Sequence, residues 1–95
     1  MPSDLAGRRY VVRGRVQGVG FRWYVLHEAL RLGVRGWVGN RPDGAVEIIA
    51  VAPSETLAQL EAALRRGPPA ARVQNLDVAD VPQEAVDSKS FTVKH

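Results

Sequence analysis

The sequence has 95 residues, 45% of them hydrophobic, with no cysteine and a net charge of +3. This length predicts one domain spanning residues 1–95, and the composition excludes disulfides, a thiol nucleophile, a thiolate metal site and a membrane-spanning run. Residues 1–41 hold eight of the thirteen basic residues but two of the ten acidic residues, so we expect a positive region there that attracts small anions or nucleic acid.

The first third of the chain predicts a strand followed by a helix. Residues 1–7 lack the apolar core of a signal peptide, so they are expected to be a flexible tail of a cytoplasmic protein. Hydrophobic alternation over Arg8–Val16 is typical of a strand with one buried face. From Phe21 to Leu32 the period becomes helical, and Leu26 and Leu30 widen the apolar stripe.

The remainder predicts a hairpin, a second helix and two further strands. The turn Arg41-Pro42-Asp43-Gly44 favours a hairpin, Ser54 is expected to cap a helix that Gly67 ends, and Val78 is expected to face the core. The predicted strands are Val34–Asn40, Ala45–Val51, Arg72–Val81 and Ser90–Lys94.

This order, βαββαβ with a short extra C-terminal strand, predicts an α+β fold of the ferredoxin-like sandwich type. Such a fold has a mostly antiparallel sheet with two helices on one face. The first two long strands run parallel with the third between them, so their carboxyl ends share one edge of the sheet, about 10 Å apart. One strand ends at a glycine-rich stretch and the other ends at Asn40, which is therefore expected to face that stretch.

The glycine-rich stretch connects the first strand to the first helix and reads Gly14-Arg15-Val16-Gln17-Gly18-Val19-Gly20-Phe21-Arg22. Glycine adopts positive φ and lets an anion approach the backbone amides, and the first amides of a helix lack intrahelical partners. Arg22 adds a guanidinium that suits phosphate. The stretch predicts a site for a small oxyanion such as phosphate, and the alternative is that its glycines only form a turn.

Few other residues offer chemistry. There is no nucleophilic serine elbow and no cluster of His, Asp and Glu, so we expect neither a metal nor a cofactor. An oxyanion site, Arg22 and the carboxamide of Asn40 suit phosphoryl transfer to water when the leaving group is good, as in an acyl phosphate. Asn40 would then hold the attacking water; alternatively, its side chain bonds to its own turn.

These motifs resemble those of the acylphosphatases, small enzymes that hydrolyse carboxyl–phosphate bonds without a metal or cofactor. Residues 14–22 match the first signature of that family, and Gly36-Trp37-Val38-Gly39-Asn40 resembles the second. The resemblance implies that Arg22 and Asn40 are catalytic, with Asn40 positioning the water. It also implies a phosphate-binding loop made by the amides of Gln17, Gly18, Val19, Gly20, Phe21 and Arg22.

The resemblance further implies a small-molecule acyl phosphate as substrate and inorganic phosphate or another small anion as a loop ligand. A monomer without nucleic-acid or membrane partners is expected. Gly39 and Ala52 depart from the family pattern: the family often has a basic or larger residue at the first position and usually glycine at the second, before a helix. The alternatives are a non-catalytic anion-binding module, including a detached module of a larger carbamoyl-transfer protein, and an RNA-binding ferredoxin-like sheet.

Overall fold

The structure, a computed structural model, describes residues 5–95. Its elements follow the predicted order, so the predicted fold class is confirmed. They are β1 (Leu5–Arg15), α1 (Phe21–Leu32), β2 (Arg35–Asn40), β3 (Val46–Pro53), α2 (Ser54–Arg66), β4 (Arg72–Val81), a 3₁₀ turn (Gln83–Ala85) and β5 (Phe91–Lys94).

The five strands form one sheet in the order β4-β1-β3-β2-β5. β3 is antiparallel to both β1 and β2, so β1 and β2 run in the same direction on either side of it. Val46 pairs with Val12 of β1 and with Asn40 of β2, which places those two residues level with each other. Two strand spacings therefore separate Asn40 from β1, about 10 Å.

Both helices cover one face of the sheet, and the main core lies between the two layers. α1 contributes Phe21, Val25 and Ala29, because these positions recur at helical spacing. α2 contributes leucines at positions 57, 60 and 64, which are fully buried, and each stabilises the fold by about 1.5–3 kcal/mol relative to an exposed position. Opposite them lie inward-facing side chains of β1, including Tyr10 and Val12.

The other face of the sheet carries a smaller apolar cluster. Ile49 and Val51 of β3 are buried there beneath Val86, which belongs to the segment between β4 and β5. The ring of Trp37 packs against the same cluster, and the Lys94 ammonium lies 4.2 Å from its centroid. The segment after β4 thus covers part of the sheet that no helix reaches.

Three details of the sequence prediction are wrong at element ends and edges. β1 begins at Leu5, so residues 5–7 belong to the strand; residues 1–4 of the expected tail lie outside the described residues. Leu30 is 52% exposed because it lies about 140° around the helix from the buried Val25. Val78 is 42% exposed because β4 forms an edge of the sheet.

Two further details concern the start of α2. Ser54 is the first residue of the helix rather than its cap, and no side chain makes a capping hydrogen bond there. Ala52 lies within β3 instead of a turn, and it is buried in the main core opposite Ala6. No helix within residues 5–95 is long and apolar enough to cross a membrane.

Candidate active site

The loop between β1 and α1 presents its backbone to solvent. Val16 at one end and Phe21 at the other are both buried in the core, whereas Gly18 and Gly20 between them are exposed. These two glycines have φ values of 74° and 79°, which L-residues adopt only with strain. A Cβ at either position would meet no atom within 4 Å, so the backbone conformation, and not crowding, requires glycine.

The start of α1 has open amide groups. Gly20 precedes the helix and its carbonyl accepts the first helical hydrogen bond from the Tyr24 amide at 3.0 Å. No side chain caps this end, and the first turn contains no acidic residue. Its amides therefore point toward the loop without a side-chain acceptor, which is the arrangement that favours a bound anion.

The predicted loop residues have different roles in this geometry. The Phe21 side chain lies in the core, with its ring 6.0 Å from that of Tyr24, so only its backbone amide can face a ligand. Val19 packs partly against the core. Arg22 lies in the first turn of α1, half-buried, and makes no hydrogen bond or ion pair with any residue of the described chain. Its guanidinium is thus available to an anion.

Asn40 ends β2 at the same edge of the sheet. Its side chain is exposed and makes no hydrogen bond within residues 5–95. The turn that follows is closed by Asp43, whose carboxylate accepts from the Ala45 amide at 3.1 Å and pairs with Arg41 at 3.3 Å. The alternative in which Asn40 bonds to its own turn is therefore not what the structure contains.

Sequence reasoning missed the contact that joins the loop to this turn. The Gln17 side-chain amide donates to the Arg41 carbonyl at 2.8 Å and to the Ala45 carbonyl at 2.9 Å. These partners lie 24 and 28 residues further along the chain. No local pattern predicts such a contact, because it depends on how the loop folds back over the sheet.

Positive charge is concentrated around the loop. Arg15 and Arg72 are opposite each other on β1 and β4, both exposed, and neither has an acidic partner within the described residues. By contrast, Asp43 is surrounded by partners: the Ala45 amide first, and then Arg13 and Arg41, lower the pKa of its carboxyl to about 2. The two arginines without an acidic partner can thus attract anions, whereas the arginines next to Asp43 are paired with it.

Metal ligands are not grouped anywhere in the described part of the chain, where no three His, Cys, Asp or Glu residues lie close enough to hold an ion. Concavities are present away from the loop. One of about 310 Å³ is formed on the helix-free face by residues that include Trp37, Ser88 and Lys94. The loop instead presents the exposed backbone of Gly18 and Gly20, which suits a small ligand held by charge and backbone amides.

The chain is similar to proteins of one known family. The family model described as Acylphosphatase matches residues 8–93. The chain belongs to the acylphosphatase family. An acylphosphatase of Koribacter versatilis is 52% identical over 87 residues, which cover 92% of this chain and 78% of the relative. One of Rhizorhabdus wittichii is 45% identical over 91 residues, covering 96% and 90%.

Solved structures agree with this membership. The crystal structure of the acylphosphatase from Bacillus subtilis has a TM-score of 0.88 and 37% sequence identity, covering 95% of this chain and 99% of that one. The family and the enzyme class, a hydrolase, are therefore confirmed as the motifs at residues 14–22 and 36–40 implied, and the fold as the order of the elements predicted.

Position 39, where the resemblance leads one to expect a basic or larger residue, has a close neighbour on β5. Gly39 pairs with Lys94 of β5, and a Cβ at position 39 would lie 3.2 Å from the Lys94 Cβ. A larger residue there would need the Lys94 side chain, whose ammonium lies over Trp37, to shift by a few tenths of an ångström. A basic residue is thus present next to position 39, on the neighbouring strand.

Proposed function

We propose that this chain hydrolyses acyl phosphates at the edge of the sheet where β1 and β2 end. The observation that carries the proposal is the start of α1, where uncapped amides, an exposed glycine loop and Arg22, which has no partner among residues 5–95, come together. These groups are all donors, and none is an acid, so they suit a phosphoryl group that bears negative charge.

In this proposal the loop and Arg22 bind the phosphoryl group. The amides of residues 17–22 surround its oxygens, and the guanidinium forms two parallel hydrogen bonds to it. Phosphoryl transfer has a loose transition state, so most of the catalysis comes from positioning and from stabilising charge on these oxygens. The same donors serve this purpose without a nucleophile from the protein.

Asn40 then positions the attacking water through its side-chain oxygen. The water oxygen forms a bond to phosphorus while the bond between phosphorus and the acyl oxygen breaks. The carboxylate leaves with the electron pair of that bond, and the proton of the water passes to the phosphate. A carboxylate is a good leaving group, so the site needs no general acid.

The described surface does not support the RNA-binding alternative. An RNA-binding sheet would expose aromatic rings on its helix-free face. Trp37 on that face lies beneath Lys94, and Trp23, which is 56% exposed, belongs to α1. A non-catalytic anion-binding module would share the loop site, so it differs from an enzyme in activity alone.

The experiment is hydrolysis of benzoyl phosphate by the purified protein in ¹⁸O-labelled water. We expect turnover, with the label in inorganic phosphate, because the site holds phosphorus and not the acyl carbon. Label in benzoate would indicate attack on the acyl carbon and would contradict the role given to Asn40. Binding of phosphate without any turnover would favour the anion-binding module.

A further inference from the structure

The Gln17 side chain connects two parts of the site, the loop and the turn after β2. A carboxamide has two N–H donors on its nitrogen, and here one goes to the Arg41 carbonyl and the other to the Ala45 carbonyl. Arg41 follows the last residue of β2, and Ala45 precedes the first residue of β3. Gln17 therefore bridges both sides of the hairpin just beyond its last strand pair.

The two acceptors are already part of the turn. The Arg41 amide donates to the Ala45 carbonyl at 2.8 Å, and the Gly44 amide donates to the Arg41 carbonyl at 3.1 Å. Gln17 thus supplies the second donor to each carbonyl, so the loop and the turn form one hydrogen-bonded unit. Asn40 is the residue immediately before this unit and pairs with Val46.

The loop itself does not depend on this bridge for its shape. Gly18 and Gly20 set its backbone turn, and burial of Val16 and Phe21 holds its two ends. Removal of the Gln17 side chain would leave these features in place. It would remove the two hydrogen bonds that connect the loop between β1 and α1 to the turn between β2 and β3.

We propose that the Gln17 side chain is a positioning residue that sets the distance between the phosphate-binding loop and Asn40. The inference rests on the proposed function, because it requires that Asn40 orient the water. A displacement of about 1 Å in a group that orients a reactant can lower a rate by about 10²-fold. Gln17 would therefore act on turnover through Asn40, while its backbone amide contributes separately to the loop.

The test is a double-mutant cycle that combines Gln17→Met with Asn40→Ala. Methionine keeps the length of the side chain but has no N–H donor. With benzoyl phosphate, we expect Gln17→Met alone to lower kcat roughly 10-fold or more. In the Asn40→Ala background the same change should have less than about a twofold effect, because the group that it positions is absent.

Gln83→Leu is the matched control. The Gln83 side chain also donates to a backbone carbonyl, that of Leu5 at 2.9 Å, but it lies in the 3₁₀ turn away from the site. Its loss should leave kcat unchanged. Inorganic phosphate should raise the Tm of Gln17→Met as it does in the wild type, because the loop amides and Arg22 remain.

Gln17→Glu provides an independent measurement if the methionine variant fails to fold. An ionised carboxylate has no donor and would repel both carbonyls, whereas a protonated carboxyl regains one O–H donor. The kcat of Gln17→Glu relative to wild type should therefore rise as the pH falls. A ratio that does not change with pH would contradict the bridge.

The outcomes separate the two proposals. If Asn40→Ala alone leaves kcat unchanged, the proposed catalytic role of Asn40 is wrong. If Asn40→Ala lowers kcat but Gln17→Met lowers it by the same factor in both backgrounds, Gln17 acts independently and the positioning role is wrong. An unchanged kcat in Gln17→Met, or loss of its phosphate-induced Tm increase, would also overturn that role.

Discussion

The two helices of this protein begin in opposite ways. α2 has Glu55 in its first turn and Arg65 and Arg66 in its last, so its charges complement the helix dipole at both ends. α1 has no acid in its first turn and carries Arg22 there instead. Neither helix start has a side-chain capping hydrogen bond.

The chain itself supplies a charge that complements the dipole at the start of α2, but it supplies none at the start of α1. At α2 the negative charge comes from the protein, and the first turn needs no ligand. At α1 a positive side chain adds to the positive end of the dipole, which lowers helix stability until an anion binds. Local rules of helix stability are thus followed at α2 and broken at α1, as is common at functional sites.

The largest expected effect comes from removing the charge that makes the start of α1 unusual. Arg22→Ala should lower kcat/KM for benzoyl phosphate by roughly 10³-fold and abolish the Tm increase caused by inorganic phosphate. The Tm without phosphate should not fall, because the removed charge opposes the dipole. Arg31→Ala is the control: this arginine lies in the last turn of the same helix, paired with Glu28 at 2.7 Å, and its loss should leave turnover unchanged. Full retention of the phosphate-induced Tm increase in Arg22→Ala would refute the proposed role of Arg22 in binding phosphate.

Substitution of Asn40 tests whether different residues at this edge of the sheet bind the phosphate and carry out the chemical step. Asn40→Ala should lower kcat roughly 10²–10³-fold, the effect of losing one positioning hydrogen bond, with little change in phosphate affinity. The phosphate-induced Tm increase should therefore persist. Asn75→Ala, which removes an exposed carboxamide bonded to Asp77 on β4, should change neither quantity. Loss of the Tm increase in Asn40→Ala would show that Asn40 binds the anion.

Two glycines lie at the ends of α1. Gly20 and Gly33 flank the two ends of the helix with φ values of 79° and 75°, and neither has an atom near its absent Cβ. Alanine at either position should lower the free energy of unfolding by about 1–2 kcal/mol, measured by urea denaturation. Only Gly20→Ala should also weaken phosphate binding, since only that glycine belongs to the loop. Equal phosphate binding in both variants would indicate that the loop backbone is not the anion site.

The smallest effect is expected at α2. Glu55→Gln should lower the free energy of unfolding by about 0.3–1 kcal/mol at low ionic strength, because the acid no longer complements the dipole. High salt should reduce this difference, and kcat should not change. A decrease in kcat would mean that the charge at the start of α2 affects the site at the start of α1.

The sequence predicted most of what local patterns and topology determine. The bounds of Phe21–Leu32 and Arg72–Val81 agree with α1 and β4, since helical and alternating periods are strong there. The position of Asn40 at the edge where β1 ends followed from the element order alone. The positive φ of Gly18 and Gly20 followed from the need for a sharp turn before the helix.

What the sequence did not predict depends on tertiary neighbours. The exposure of Leu30 depends on how wide a stripe of α1 the sheet covers, and that of Val78 on β4 being an edge strand; neither the width nor the strand order is contained in the periods alone. The helix start at Ser54 and the burial of Ala52 depend on β3 continuing to Pro53. The Gln17 bridge requires the relative placement of two loops that are distant in sequence, so no local pattern contains it.

The place of β1 in the sheet has a consequence for the order of folding. This first strand lies between β3 and β4, and Gly7 pairs with Val81 near the other end of the chain. Contacts of such long sequence separation slow folding, because loop closure must precede the gain from pairing. During synthesis, the loop and the hairpin leave the ribosome early but gain a stable sheet only after β4 has followed them. The residues of the proposed active site thus precede β4 in the sequence, and the site is expected to be completed only after β4 has paired.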